Sequence, residues 1–179
     1  MERFEKTQLK LKEGHTWRCG PGYKICVLAE GALRFDVPRD WFSEPGETSL
    51  RIYDLTPPDD NCRLEVSLLR HAQIDWSGLS LDQLIRNSIG ARTCDEDLDI
   101  HRQQRPGVEI AWVESSSMEN GKQARSRLAI VRGVNAHALF TLDFWATDAA
   151  RFTPVWDEIM RSIDMGLKVD DPTVGVRPV

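Results

Sequence analysis

The densest set of potential metal ligands in the chain is the run Asp95-Glu96-Asp97-Leu98-Asp99. Carboxylates at alternate positions are typical of the start of a calcium-binding loop, where their oxygen atoms surround the ion. Such a loop also needs Gly at its sharp turn and a bidentate Glu at its end, whereas Ile100 and Pro106 stand at those positions. The pattern therefore predicts a solvated acidic loop after a helix, and we expect no bound metal.

The run Gly20-Pro21-Gly22-Tyr23-Lys24 is a candidate phosphate-binding loop. It has neither Walker nor dinucleotide spacing, and no helical pattern follows it that could present an N-terminus to a phosphate. We interpret this run as a turn and expect no cofactor.

Acid, base and nucleophile candidates occur singly along the chain. None of the four histidines lies in a two-histidine metal motif or a nucleophile elbow; they are His15, His71, His101 and His137. Catalytic triads assemble in space, so distance in sequence excludes none, but no spacing indicates one. We therefore predict a non-catalytic binding, adaptor or chaperone-like protein whose partner is another protein. The alternative left open is an enzyme or small-ligand binder with a pocket between helix and sheet.

The cysteines and the N-terminus indicate the compartment. Cys19, Cys26, Cys62 and Cys94 form no Cys-x-x-Cys pair, which is typical of free thiols in a reducing compartment. The start of the chain, Met1–Gln8, is charged, and no apolar run approaches the ~20 residues that cross a bilayer. We expect a cytoplasmic protein with no membrane partner, and a leader that has been removed is the alternative. A formal net charge of −5 argues against a nucleic-acid partner.

Hydrophobic patterns predict one α+β domain with a largely antiparallel sheet and helices packed on its faces. The 179 residues contain no repeat or linker, and we divide them into an N-terminal extension or edge strands (1–31), a core (33–166) and a loose tail (169–179). Strands are predicted at 24–29, 33–37, 49–54, 63–69, 108–117, 122–132 and 136–145. Strands in a run with a helix between and a helix at the end are typical of the α+β class.

Two helices are predicted from apolar residues that recur at helical spacing. Ser80 followed by Gln83 has the form of a capping box before the first helix. The second helix has three boundary signals: Thr153-Pro154 and Asp148 as alternative starts, and Gly166 as the end.

The strand register predicts the candidate binding residues. If the apolar residues of two paired strands meet on one side of the sheet, a three-residue loop must join each of the last two hairpins. We therefore prefer the loops Glu119-Asn120-Gly121 and Gly133-Val134-Asn135. This register places Arg125 opposite Asp143, on the same face as Trp145. Since interfaces favour Trp and Arg, we predict that these three residues meet the partner, unless a helix or the N-terminal segment covers them.

Several local motifs resemble the PsbP-like superfamily, which includes a photosystem II subunit, a Ran-binding import factor and, as relatives, DcrB-type bacterial proteins. The matching segments are Leu33 to Trp41 (a strand, then Pro and Trp), Ser49 to Asp54, Arg63 to Ser67, and Phe152 to Trp156 with Ile159 and Ser162. The resemblance covers Leu33 to Gly166. It implies an antiparallel sheet with helices on its faces and a binding role rather than catalysis, and it carries over no functional residue.

Overall fold

The computed structural model describes residues 5–89 and 98–176. Within these ranges the chain forms ten strands and two helices. The strands are β1 (Tyr23–Leu28), β2 (Leu33–Pro38), β3 (Phe42–Pro45), β4 (Leu50–Tyr53), β5 (Cys62–Arg70), β6 (His101–Arg105), β7 (Val108–Glu119), β8 (Lys122–Arg132), β9 (Ala136–Trp145) and β10 (Asp164–Met165). The helices are α1 (Leu81–Ile89) and α2 (Ala149–Ser162). Cys94 and residues 95–97 of the predicted acidic loop lie outside the described residues.

The strands form two antiparallel sheets. A three-stranded sheet has the order β1-β2-β10, and a seven-stranded sheet has the order β3-β4-β5-β9-β8-β7-β6. The pairings between neighbours are antiparallel throughout. The predicted α+β class is therefore confirmed. Three short strands, β3, β6 and β10, were not predicted. Each has five residues or fewer, which is too short for the alternation of apolar and polar residues to identify a strand.

The predicted register of the last two hairpins is wrong by one residue. Glu119 pairs with Lys122 through the two-residue turn Asn120-Gly121. Both turn residues have positive φ angles, 48° and 77°, as a type I′ turn requires. In the next hairpin Arg132 pairs with His137 instead of with the residue before it.

The register prediction fails because both faces of the seven-stranded sheet are covered over β8. Ala129 and Val131 belong to one cluster of buried residues, whereas Ile130 between them belongs to a second cluster. A strand that is apolar on both faces has no single buried face for the alternation to identify. The assumption that all apolar residues meet on one side was therefore the source of the error.

We call the first face the side of the seven-stranded sheet that packs on α2 and β2. Phe140 of β9 meets Phe35 of β2 edge to face, with ring centroids 5.2 Å apart. Trp156 of α2 is fully buried here and contacts Trp112 of β7, with ring centroids 5.7 Å apart. This face holds the larger of the two buried clusters. The second face is the opposite side of the same sheet, and α1 packs on it through Leu81 and Ile85.

The predicted cap of α1 at Ser80 is confirmed, whereas α2 ends earlier than predicted. The backbone N–H of Gln83 donates to Ser80 Oγ at 3.2 Å, as the capping box requires. The second helix begins at the earlier alternative, with Asp148 as its N-cap residue. It ends before Gly166, because Ile163 adopts an extended backbone that leads into β10.

The N-terminal and C-terminal segments are bound to each other. Trp17 is buried, and its Nε1–H donates to the Pro172 carbonyl at 2.8 Å. The backbone N–H of Thr16 donates to the Val174 carbonyl at 2.7 Å. The sequence predicts a loose tail from residue 169 onward, because the hydrophobic residues there follow neither helical nor strand periodicity. Residues 172 and 174 are nevertheless attached to the N-terminal segment by hydrogen bonds. In the described ranges, the helices are all too short or too polar to span a membrane.

Candidate functional site

Half of the second face is left uncovered. α1 packs across β7 and β8, while the neighbouring β9 and β5 present side chains of the same face to the solvent. Leu69 is 66% exposed and Leu139 is 37% exposed. We call this region the open half; it comprises the second-face residues of β5 and β9, from Leu69 and His137 at one end to Arg63, Asp143 and Trp145 at the other.

An apolar groove of about 350 Å³ lies between α1 and the open half. Leu84 of α1 borders it on one side, and Leu69 and Leu139 border it on the other. Trp76, from the connection between β5 and α1, and His137 of β9 also line the groove. The groove is therefore an apolar depression that combines a helix, a sheet and an aromatic side chain.

A one-way chain of hydrogen bonds fixes the protons of two histidines beside this groove. Arg132 Nε–H donates to His137 Nε2 at 3.0 Å, so that nitrogen carries no proton. In the neutral ring the proton then lies on Nδ1, which donates to His71 Nε2 at 2.8 Å. His71 in turn donates from Nδ1 to the Ala72 carbonyl at 2.7 Å. Each ring nitrogen thus has one defined role.

This hydrogen-bond chain keeps His137 neutral and attaches the connection before α1 to the sheet. Burial, followed by the charge of Arg132 and the ring of His71, lowers the pKa of His137 to about 4. Arg132 also donates from Nη2 to the Leu79 carbonyl at 2.7 Å, and its guanidinium lies 5.3 Å from the Trp76 ring centroid. His137 therefore has a structural role as a lining residue of the groove, and His71 holds it in position.

A polar cleft of about 500 Å³ lies at the other end of the open half. Asp143 accepts hydrogen bonds there from Arg63 Nη2 at 2.9 Å and from Ser126 Oγ at 2.6 Å. Trp145 also borders the cleft, and Lys122 Nζ lies 5.6 Å from its ring centroid. The cleft therefore offers an aromatic face next to charged groups.

The three predicted site residues border this cleft, but the structure divides them between the two faces. Asp143 and Trp145 lie on the second face, as β9 residues two positions apart. Arg125 pairs with Phe144 instead, and its Nη1 donates to Glu114 Oε1 at 3.1 Å on the first face. The predicted contact between Arg125 and Asp143 is therefore wrong, because the register is shifted by one residue.

Sequence reasoning missed the residue that actually binds Asp143. That residue is Arg63, at the start of a correctly predicted strand, but no pattern in the sequence identifies its neighbour. The two residues are 80 positions apart, and β9 joins β5 only after the chain has passed through four other elements. No local pattern indicates such a long-range pairing.

A buried charged cluster on the first face has a structural role. Arg127 donates from Nε to Glu114 Oε2 at 2.7 Å and from Nη2 to Thr153 Oγ1 at 3.0 Å. Its guanidinium also lies 5.4 Å from the Trp112 ring centroid and 5.5 Å from that of Phe144. The side chain of Arg127 is almost wholly buried, so these contacts attach α2 to the sheet.

A larger cavity of about 720 Å³ lies between the N-terminal segment and β1. Leu9 and Trp17 of the segment border it, together with Tyr23 and Ile25 of β1. The segment that borders this cavity is bound by hydrogen bonds to residues 172–174 of the same chain. We take the open half as the candidate for contact with another molecule, because Leu69 is the most exposed leucine among the described residues.

Solved structures with a similar fold have low sequence identity to this chain. The crystal structure of LpqN, involved in cell envelope biogenesis of Mycobacterium tuberculosis, has a TM-score of 0.57 at 15% identity, over 80% of this chain and 90% of that chain. A crystal structure from Bacteroides thetaiotaomicron has a TM-score of 0.55 at 15% identity, over 75% of this chain and 45% of that chain. At such identities the similarity shows the fold alone.

The structural match to a PsbP protein is weaker. The solution structure of cyanobacterial PsbP (CyanoP) from Synechocystis sp. PCC 6803 has a TM-score of 0.40 at 14% identity, over 84% of this chain and 99% of that chain. A TM-score of this size establishes no common fold, and the PsbP-like resemblance stays a prediction.

Sequence comparison identifies the family. The uncharacterized protein alr1449 of Nostoc sp. (strain PCC 7120) is 40% identical over 176 residues, which cover 96% of this chain and 92% of the relative. Residues 24–169 match the Alr1449 family. The chain therefore belongs to the Alr1449 family.

Proposed function

We propose that this protein is a non-catalytic binding protein that holds apolar side chains of another protein in the groove between α1 and the open half. The observation that carries the proposal is the uncovered apolar surface at this groove. Leu69 is 66% exposed and Leu139 is 37% exposed, and both are large side chains next to a depression of about 350 Å³. Contiguous exposed apolar surface beside a depression is typical of interaction sites.

The length of the open half favours a protein partner. The apolar groove and the polar cleft lie at opposite ends of it, and β9 runs from one to the other. Leu139 and Trp145 are six residues apart on that strand, which corresponds to about 20 Å at ~3.3 Å per residue. A small molecule would fill one depression, whereas a segment of a protein covers both.

The histidine beside the groove and two buried thiols elsewhere in the chain are poorly suited to catalysis. Both ring nitrogens of His137 are occupied by hydrogen bonds, and its pKa is lowered to about 4, so it is a weak base. Burial also raises the pKa of the Cys26 thiol to about 11 and raises that of Cys62 further, which disfavours the reactive thiolate. These residues are therefore suited to packing and support.

The test is selection of peptides from a random displayed library of about twelve residues on the immobilised full-length protein. We expect the selected peptides to bind wild-type protein and to bind Leu139→Asp at least about tenfold more weakly, because the charge disrupts an apolar contact. The control is Leu11→Asp, which makes the same change at another exposed leucine, 39% exposed, in the N-terminal segment. Equal binding to wild-type and Leu139→Asp, or no selected peptide, would contradict the proposal.

A second candidate function is the binding of a small apolar molecule in the groove. Its volume of about 350 Å³ favours this candidate, because ligand pockets range from about 300 to 1,000 Å³. Trp76 borders the groove, so a bound apolar molecule would change its fluorescence. Titration with decanoate and with indole, followed by tryptophan fluorescence, checks this. A saturable change in fluorescence that Leu139→Asp abolishes supports a small ligand. A linear change excludes fatty acids and small aromatic molecules as ligands of the groove.

We further propose a cytoplasmic location. Among the described residues Cys19, Cys26 and Cys62 are free thiols, as expected in a reducing compartment. Thiol titration of the denatured, unreduced protein taken from its host should detect about four groups, since the chain has four cysteines. Two or fewer would indicate an oxidising compartment instead.

A further inference from the structure

We infer that the polar cleft receives a basic side chain of the same partner segment, about 20 Å from the apolar side chain in the groove. The distance follows from the six positions that separate Leu139 from Trp145, at ~3.3 Å each. The inference rests on the proposed function, because it assigns the second half of the same surface. It adds the chemistry of the partner: an apolar residue and a Lys or Arg, separated by about six positions in an extended segment.

The charges that border the cleft favour a cation. Three carboxylates line it, those of Asp60, Glu119 and Asp143, and Arg63 lies among them. Arg63 is bound to Asp143 at 2.9 Å. Arg125 also borders the cleft, but its guanidinium is bound to Glu114 on the first face. Lys122, beside Trp145, is the other cation on the side that a partner would approach. The three carboxylates there outnumber the two cationic groups, Arg63 and Lys122, which complements a positive charge.

The aromatic group of the cleft is already in contact with a cation of the chain itself. Lys122 Nζ lies 5.6 Å from the centroid of the Trp145 ring, within the range of a cation–π contact. Lys122 is the first residue of β8, directly after the Asn120-Gly121 turn, and it is exposed. The face of Trp145 is thus accessible to an ammonium group, and a basic side chain of the partner would replace Lys122 on this ring.

The sequences of the selected peptides test this inference separately from the proposed function. We expect enrichment of peptides with an apolar residue and a Lys or Arg five to seven positions away, as an extended chain requires. Peptides that depend on Leu139 but show no preference for basic residues, or prefer acidic ones, would overturn the inference and leave the proposed function intact. If no selected peptide depends on Leu139, both fail.

Charge variants of the cleft give a second readout on the same selected peptides. The double variant Asp60→Asn with Glu119→Gln should bind them about fivefold more weakly at low salt, and the loss should shrink at about 0.5 M salt because exposed charges are screened. The matched control is Glu47→Gln with Asp157→Asn, which removes two exposed charges elsewhere. Equal losses in the two double variants, or no loss in either, would overturn the inference.

Discussion

The two faces of the seven-stranded sheet differ most clearly along a single strand, β9. On the first face Phe140 is completely buried against β2 and α2, whereas on the second face the adjacent Leu139 is 37% exposed. The first face has a helix and a second sheet to cover it, but the second face has only α1, which spans β7 and β8. The first face therefore holds most of the stabilising apolar contacts, and the second face retains surface for binding.

The same difference extends to the carboxylates. Glu114 on the first face and Asp143 on the second face each bind two side chains. Glu114 binds Arg125 and Arg127, and the second of these is almost wholly buried. Asp143 binds Arg63 and a serine, and both charged side chains are more than a third exposed. The two carboxylates are themselves exposed to a similar degree, 27% and 38%, so the difference lies in their partners: Arg127 is 6% exposed, whereas Arg63 is 46% exposed.

Truncation of the central tryptophan of α2 should have the largest effect on stability. Trp156→Ala should lower the free energy of unfolding by about 3–5 kcal/mol, because it removes a completely buried large side chain. Trp145→Ala on the second face is the matched control and should cost clearly less, since Trp145 is only partly buried. Urea unfolding measures both. A loss below about 1 kcal/mol for Trp156→Ala would mean that the first face is not the main core.

Neutralising the two carboxylates should separate the faces by a smaller margin. Glu114→Gln should cost about 2 kcal/mol, because hydrogen bonds to charged groups contribute about 1.5–3 kcal/mol and buried Arg127 loses its counter-charge. Asp143→Asn should cost under about 1 kcal/mol, since solvent screens its exposed ion pair. Urea unfolding of both variants at one pH gives the comparison. Equal costs would contradict the distinction between a buried and an open face.

The sequence predicted the positions of the strands and helices better than it predicted which residues of neighbouring strands pair with each other. The alternation along β8 and β9 and the capping box at Ser80 are local, so they identified two strands and a helix start correctly. The register failed because β8 is buried on both faces, a property that depends on α1 and β2 and not on the strand itself. The register of these strands is therefore set by long-range packing, which a local sequence pattern does not contain.

Of the three predicted site residues, the two that depend only on local alternation were placed on the correct face, and the one that depends on the register was not. Asp143 and Trp145 follow from the alternation of β9 alone, and both lie on the open half. Arg125 was assigned to that face through the register, and the one-residue shift moved it to the other face. The apolar groove was not predicted by residue, because Leu69 and Leu84 belong to elements whose contact no local pattern encodes.

Acid should weaken the contacts around His137 by a modest amount. Its pKa is lowered from the ordinary 6.5 to about 4, so the unfolded chain binds more protons between these values. The stability contributed by neutral His137 is thus fully present above about pH 6.5 and is lost as pH falls toward 4. Because the ring is only partly buried, solvent screening limits the loss to about 1 kcal/mol.

The measurement is urea unfolding at pH 7 and pH 4.5 for wild-type protein and His137→Gln. The lowered pKa values of Glu65 and Glu158 also make the protein less stable in acid, and both proteins share that effect. The raised pKa of Asp36 acts in the opposite direction, again in both. The difference between the two proteins isolates His137. An equal loss in both would show that the hydrogen-bond chain does not resist protonation.

The exposed pair between Arg63 and Asp143 should give the smallest effect. A double-mutant cycle of Arg63→Ala and Asp143→Ala should return a coupling energy of about 0.2–1 kcal/mol, because both partners are in contact with solvent. The coupling should decrease further at 1 M salt, where the Debye length is ~3 Å. Arg125→Ala combined with Asp143→Ala is the control, and it should show less coupling since the two side chains lie on opposite faces. Stronger coupling for Arg125 than for Arg63 would mean that the strands follow the register expected from the alternation of apolar residues, and that the open half is organised differently.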